Sequence, residues 1–358
     1  MSSWPDRRLL DMFGIEVPII QAPMAGPGTP ELAMAVSDAG GLGSLPCAQL
    51  SVEEVRTALD RINADASRRL NLNFFCHAPP AADAVRSLYW RALLAPYYVE
   101  LGLDPEAALS AAGRRPFDAD YCSLVEAYRP AVASFHFGLP ERALLERVRA
   151  AGAKVISSAT TVAEARWLED RGCDAIIAMG AEAGGHRGNF LADDVARQVG
   201  TFALVPQVVD AVKVPVIAAG AIADARGIVA AFALGAAAVQ IGTAYLFCPE
   251  AKLPPVHREA LHHAGDDDTM ITNVFTGRPA RGIVNRLMHE QGPLSSAAPA
   301  FPLAGAALAP LRAKAEAAGS GDFTNLWSGQ AARLAHRSLP AGELTRRLAR
   351  EALAKLGA

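Results

Sequence analysis

Eight short apolar runs recur along the chain, at residues 18–26, 41–46, 69–77, 131–138, 153–160, 173–180, 214–222 and 237–246, and most end in glycine or a polar residue. Several are apolar almost throughout: 175–179 reads Ala-Ile-Ile-Ala-Met and 214–219 reads Val-Pro-Val-Ile-Ala-Ala. A strand with one face in water alternates apolar and polar residues, whereas parallel strands covered on both faces read as near-continuous apolar runs. Helical stretches separate many of the runs. In 161–171, Val162, Ala165, Trp167 and Leu168 share one side, while Glu164, Arg166, Glu169 and Asp170 lie elsewhere. Thr160 or Thr161 supplies a cap at its start and Gly172 a stop at its end. Residues 224–234 repeat the scheme, with Asp224 as N-cap and Gly235 as terminator. Alternation of strand and helix requires a parallel sheet, and eight repeats predict an α/β fold of the TIM (β/α)8 barrel type.

The chain has 358 residues, more than the roughly 250 of a bare barrel. Two segments break the alternation. Residues 78–130 form a long insertion after the third strand, rich in alanine and aromatic residues, and residues 247–319 follow the eighth strand and look helical with loops. The expected organisation is a cofactor-binding barrel over 1–246 carrying the helical insertion, a small cap or substrate domain over 247–319, and a segment over 320–358 whose helix, 341–355, returns to the barrel.

Composition narrows the function classes. With 51% hydrophobic and 20% charged residues the chain buries a large core. A net charge of −3 gives no electrostatic reason to expect nucleic acid or an anionic membrane as partner. The five cysteines form no CxxC pair, which argues against a disulfide framework or a zinc site and suits a reducing cytoplasm. Residues 1–11 carry charge and no apolar core, so no signal peptide is expected there. Residues 227–247 contain no charge, but Gly235 splits them into a helix-like and a strand-like half, against a membrane span.

Barrel sites lie at the C-terminal ends of the strands. After the sixth strand stands Ala-Glu-Ala-Gly-Gly-His-Arg-Gly, residues 181–188. Its glycines, Gly184 and Gly185 among them, let main-chain N–H groups approach an anion and leave His186 accessible as a base. After the seventh strand come Gly220 and Ala221, and around the end of the eighth Gln240, Ile241, Gly242 and Thr243. Small residues here, followed by helix starts, predict a phosphate cradle. Ala22, Pro23 and Met24 end the first strand and Asn73 lies in the third, a backbone segment and an amide suited to line a flat ring and bond its edge. In Ser134-Phe135-His136-Phe137-Gly138, His136 alternates with two aromatics and so points opposite to them, either to the barrel mouth as a substrate-binding group or into the core. Ser157-Ser158 lies in no nucleophile elbow, no GxGxxG follows a strand, and no histidine–carboxylate spacing supports a metal site.

These motifs together resemble the nitronate monooxygenases. The likeness spans nearly the whole chain, through residues 18–26, Asn73, 182–188, 220–224, 240–243 and Trp327-Ser328-Gly329-Gln330, with Glu-Ala-Gly-Gly-His-Arg-Gly its most specific part. The resemblance implies FMN bound without metal, and oxidation of alkyl nitronates with O2 to a carbonyl compound and nitrite. It implies that His186 is the active-site histidine, the base where neutral nitroalkanes are accepted. Asn73, Gly184, Ala221 and 240–243 match FMN-contacting positions, and Ala22 to Met24 the stretch beside the flavin ring. Three positions depart from the pattern. Met179 stands where the family has a glutamine to the flavin, Ala221 replaces the second of two glycines, and 300–310 lacks the tyrosine and lysine expected to line the nitronate pocket.

The expected partners are therefore a nitronate or similar small molecule and O2, with a homodimer left open. Two other readings share the pattern: an NAD(P)H-dependent FMN reductase of quinones or enoyl thioesters, and a flavin-free phosphate-binding barrel.

Overall fold

The computed structural model describes residues 4–62, 68–81, 83–109, 114–335 and 338–357. Residues 1–3 of the N-terminus, 63–67 of the barrel, 82 and 110–113 of the insertion, and 336–337 and 358 of the C-terminal segment lie outside the described residues.

Eight parallel strands form the central sheet: β1 (Ile19–Gln21), β2 (Gly43–Pro46), β3 (Leu70–Phe75), β4 (Val132–His136), β5 (Lys154–Ala159), β6 (Ala175–Met179), β8 (Val216–Ala219) and β9 (Ala238–Ile241). The order is β1-β9-β8-β6-β5-β4-β3-β2. A parallel bridge between Ile20 and Leu42 closes the ring, with Gln21 N–H donating to Leu42 C=O and Leu42 N–H to Ile19 C=O, both at 3.0 Å. The fold is the TIM-type barrel that the repeats predict. Each strand is shorter than its apolar run because the run continues into the rim loop.

The interior carries polar rungs as well as apolar ones. Gln21 accepts from Ser44 N–H at 2.8 Å, Asn71 donates to Ser44 Oγ at 2.9 Å, and Asn73 donates to Ser134 Oγ at 3.0 Å. Most buried amides find such partners, although Asn71 Oδ1 has none.

Thr161 caps the helix Val162–Asp170 by accepting from Glu164 N–H. Glu164, expected on the polar side, is buried instead. Its carboxylate accepts from Thr160 N–H and Oγ1 and from Phe190 and Leu191 N–H, so it ties the β5 loop to the rim. The uncharged stretch 227–247 divides as its glycine predicts, into the helix Ala225–Ala233 and β9. Among the described residues no helix is long and apolar enough to cross a membrane. The helix Ala341–Leu356 packs between Pro30–Ser37 and Ala225–Ala233, filling the place of the eighth barrel helix.

Beyond β9 the sequence suggests only helices and loops, yet a small antiparallel sheet stands there. Its strands β10 (Thr269–Thr272) and β11 (Ala280–Ile283) pair with each other, and β11 pairs with β7 (Gly185–His186) from the loop after β6. A second apolar core joins this region to the insertion. Trp90 and Tyr98 of the helix Ala84–Glu100 bury their rings against the helix Ala304–Ala317 and donate to Ala304 and Ala307 carbonyls at 3.3 and 2.6 Å.

Candidate active site

A cavity opens at the C-terminal rim. Ala22, Pro23 and Met24 after β1, Asn73 from β3, His136 from β4 and Met179 from β6 lie on its wall. So do Gly184, Gly185 and His186 on β7 and the turn before it, Gly220 and Ala221 after β8, and Gln240, Gly242 and Thr243 around β9. Thus His186 and the loops near 220 and 242 share one chamber. Ile241 is the exception: its side chain is sealed in the barrel core, and its carbonyl accepts from Ala22 N–H at 2.8 Å. A strand turns alternate residues to opposite faces, so Gln240 and Ile241 cannot both face the mouth.

The loop after β6 is held by its arginine. Arg187 is fully buried, donating from Nη2 to Met179 C=O at 2.9 Å and from Nε to Gln198 Oε1 at 3.0 Å. Burial pushes its guanidinium down to about 10, so it stays charged at neutral pH. Glu182 braces the other end, accepting from Thr201 N–H and Oγ1. Gly184 packs against the main chain of Ser328 and Gly329, where a Cβ would stand 2.5 Å from Gly329 N. Gly329 N–H in turn donates to Thr243 Oγ1 at 2.9 Å, and Gln330 N–H to Glu182 C=O at 3.1 Å. The C-terminal segment therefore forms part of the wall.

The geometry of the cradle suits an anion bearing a flat ring. The main-chain N–H groups of Gly184, Gly220, Ala221 and Gly242 have no acceptor among the described residues. Gly220 and Ala221 have φ of 115° and 56°, a turn that presents such groups outward. A Cβ at Gly185 would meet nothing within 4 Å. Gln240 Oε1 is buried without a partner, an acceptor awaiting a donor. These features fit a flavin mononucleotide. The helix after β8 does not contribute its N-terminus, because Asp224 caps it by accepting from Arg226 and Gly227 N–H and pairs with Arg226. Asn73 commits its amide nitrogen to Ser134.

His186 sits in an aromatic enclosure. Its ring lies 5.3 Å from Phe301, 5.5 Å from Trp327 and 6.2 Å from both Phe75 and Phe137. Nε2 bonds Thr276 Oγ1 at 2.9 Å, and Nδ1 has no partner among the described residues. Burial, then the charge of Arg114, hold the imidazole well below its ordinary range, so it is neutral. His136 bonds on both sides, through Nδ1 to Ser158 Oγ at 2.6 Å and through Nε2 to His186 C=O at 3.1 Å. Burial lowers it to about 3. Phe137 does not point away from it. The strand stops at His136, Phe137 turns to φ 71°, and the two rings lie 4.4 Å apart. Only Phe135 takes the opposite, core-facing side, against Phe74 and Phe117.

Residues 6–351 match the nitronate monooxygenase family. The chain belongs to that family. Family membership makes it an oxidoreductase. It is 43% identical to the nitronate monooxygenase of Paraburkholderia phytofirmans over 96% of this chain and 94% of that one. It is 41% identical to the nitronate monooxygenase of Pseudomonas aeruginosa over 96% and 98% respectively. The solved structure of nitroalkane oxidase from Streptomyces ansochromogenes superimposes with a TM-score of 0.88 at 36% identity, over 98% of this chain and all of that one.

Some residues of the site carry no signal in the sequence. Thr276 and Arg114 come from the segments outside the repeat, and only the folded chain brings them near His186, whereas Phe301 lies in the 300–310 segment that the resemblance assigns to the pocket. Arg187 had a signal, a charged residue inside a glycine loop, which the histidine beside it overshadows.

Proposed function

We propose that the protein oxidises alkyl nitronates with O2 to a carbonyl compound and nitrite, using FMN. The observation that carries the reading is the shared chamber of His186 and the unpaired main-chain N–H groups of the 184, 220 and 242 loops. Gly184, Gly220, Ala221 and Gly242 would hold the FMN phosphate and its surroundings, while Ala22 to Met24, Asn73, Met179 and Gln240 would border the ring. Bound there, the flavin supplies the electron transfer that the side chains cannot.

This chain's own residues bind and orient the substrate. Phe75, Phe137, Phe301 and Trp327 exclude water from it. His186 presents a neutral imidazole whose Nδ1 contacts the bound anion. A nitrogen held so far below its ordinary range is a weak base toward carbon. That supports the preformed nitronate over the neutral nitroalkane as the main substrate. With a neutral nitroalkane, His186 takes the opposite tautomer to the one that faces an anion with Nδ1–H: Nε2–H donates to Thr276 Oγ1 and the Nδ1 lone pair takes the proton. His136 positions the His186 main chain and exchanges no proton. Residues 247–319, packed with the helix Ala84–Glu100, act as the cap over the mouth.

The test is a visible spectrum of the purified protein followed by a nitrite assay with propionate 3-nitronate. Flavin absorbance at near one FMN per chain, with nitrite release that requires O2, is the expected result. A protein that stays colourless on adding FMN, or a yellow one that releases no nitrite, would overturn the proposal.

A further inference from the structure

The cavity wall contains one guanidinium. Arg114, from the insertion, reaches the chamber and lies with its Cζ 5.5 Å from the Phe301 ring centre. Among the described residues no carboxylate pairs with it. Its guanidinium's hydrogen-bonding neighbour there is the Gln49 amide, which, turned so that its oxygen faces the arginine, accepts from Nη2 at 3.0 Å and from Nε at 3.2 Å. Burial and the nearby charge of Arg312 lower it to about 10, which still leaves it protonated at neutral pH.

Arg114 is half-buried, and a partly desolvated charge without a counter-ion favours an opposite charge joining it. The other ionised group on the wall, Glu182, is committed to Thr201. Residues 300–310, of which Phe301 packs 5.3 Å from the His186 ring, contain no lysine or arginine at all. Among the described residues the chamber wall thus has one guanidinium, it comes from the insertion, and no carboxylate pairs with it.

We propose that Arg114 is the residue that binds the planar oxyanion of the substrate and so sets its preference for anions. A nitronate places two oxygens in one plane, as a carboxylate does. The Nη1 and Nη2 hydrogens left free by Gln49 form a fork that matches such a pair. Gln49 fixes the plane of the guanidinium, Phe301 supports its face, and His186 packs against the same Phe301 ring, 5.3 Å from its centre. Binding an anion here also offsets the Arg114 charge, which adds to burial in keeping His186 deprotonated. This rests on the nitronate reading for the identity of the substrate but not for the anion site itself.

The experiment is a calorimetric titration with nitrate, a planar oxyanion that is not consumed, on the native protein and on Arg114→Gln. Loss of one charge-assisted fork should raise the nitrate Kd by roughly 10–100-fold. In parallel the KM for a nitronate should rise by a similar factor with kcat nearly unchanged, while the KM for a neutral nitroalkane moves little. Arg114→Lys keeps the charge but not the fork, and should recover only part of the nitrate affinity. If Arg114→Gln does not fold, the Lys variant alone decides, with a Kd raised several-fold as the expected result. A nitrate Kd equal to that of the native protein in either variant would overturn the proposal. Nitrate binding that depends on Arg114 in a protein releasing no nitrite would keep the anion site and sink only the nitronate reading.

Discussion

His136 donates its Nε2 proton to the main-chain carbonyl of His186 at 3.1 Å. A carbonyl only accepts, so Nε2 carries the hydrogen. With the ring neutral, Nδ1 is then a lone pair that accepts from Ser158 Oγ at 2.6 Å. One histidine is spent on fixing the other, and its tautomer follows from the network. The strained turn at Phe137, φ 71°, is what brings the two rings together at the rim.

The histidines make the fold sensitive to acid. His77 and His257 are lowered to about 4 and His136 to about 3, burial being the first cause in each case. Their folded values lie below the unfolded value of 6.5, so the unfolded chain binds more protons across that window. Stability is complete above about pH 6.5 and falls as pH drops toward 4. For His136 the loss between pH 7 and pH 5 amounts to about 2 kcal/mol. Denaturant unfolding at several pH values measures it. His257→Asn, away from the cavity, should flatten the acid limb by about one proton; an unchanged slope contradicts the assignment of a neutral buried His257.

His186→Asn separates proton removal from anion binding. Asparagine keeps a hydrogen-bonding group but accepts no proton at this pH. Turnover of a neutral nitroalkane should fall by about 10²–10⁴-fold, the usual worth of a general base. Turnover of the preformed nitronate should stay within about tenfold. Equal losses on the two substrates, at unchanged flavin content, would remove the base role.

How much of this was legible in the residues follows from what each pattern encodes. The barrel was legible because burial on both faces leaves runs such as 175–179 without polar interruption, and the caps Thr161 and Asp224 mark helix starts directly. The rim glycines were legible because main-chain approach to an anion removes the side chain. The sheet β10–β11–β7 was not, since β7 is a two-residue strand whose partner lies about a hundred residues away. Arg114 was equally hidden. Its role comes from a missing partner, and a sequence records partners only after folding. The place of the Ile241 side chain was not legible in the motif, which crosses a strand that alternates its faces and so turns that side chain into the core.

Ala221 holds a left-handed φ of 56° at the cradle. That conformation disfavours any L side chain by roughly 1–2 kcal/mol. Glycine there gives back about 0.4–1 kcal/mol through the freer unfolded chain. Ala221→Gly should therefore stabilise the flavin-free protein by roughly 0.5–1 kcal/mol in urea unfolding, the difference of those two terms. A net destabilisation would mean that the turn is not strained in solution.

Gly184→Ala tests the joint between the glycine loop and the C-terminal segment. The added Cβ would lie 2.5 Å from Gly329 N and 2.6 Å from Ser328 C, both main-chain atoms that cannot rotate aside. Something must shift, and the hydrogen bonds from Gly329 N–H to Thr243 and from Gln330 N–H to Glu182 are the first to go. The barrel core is untouched, because Gly184 lies on the rim beyond β6. The variant should accordingly fold with a far-UV spectrum like the native one, yet retain FMN at least tenfold more weakly, by the loss of one or two hydrogen bonds at the cradle. Limited proteolysis should cut the chain near 327–330 sooner than in the native protein. Native flavin retention together with native protease resistance would show that the C-terminal segment is not part of the binding wall, and that Gly184 serves only the turn into β7.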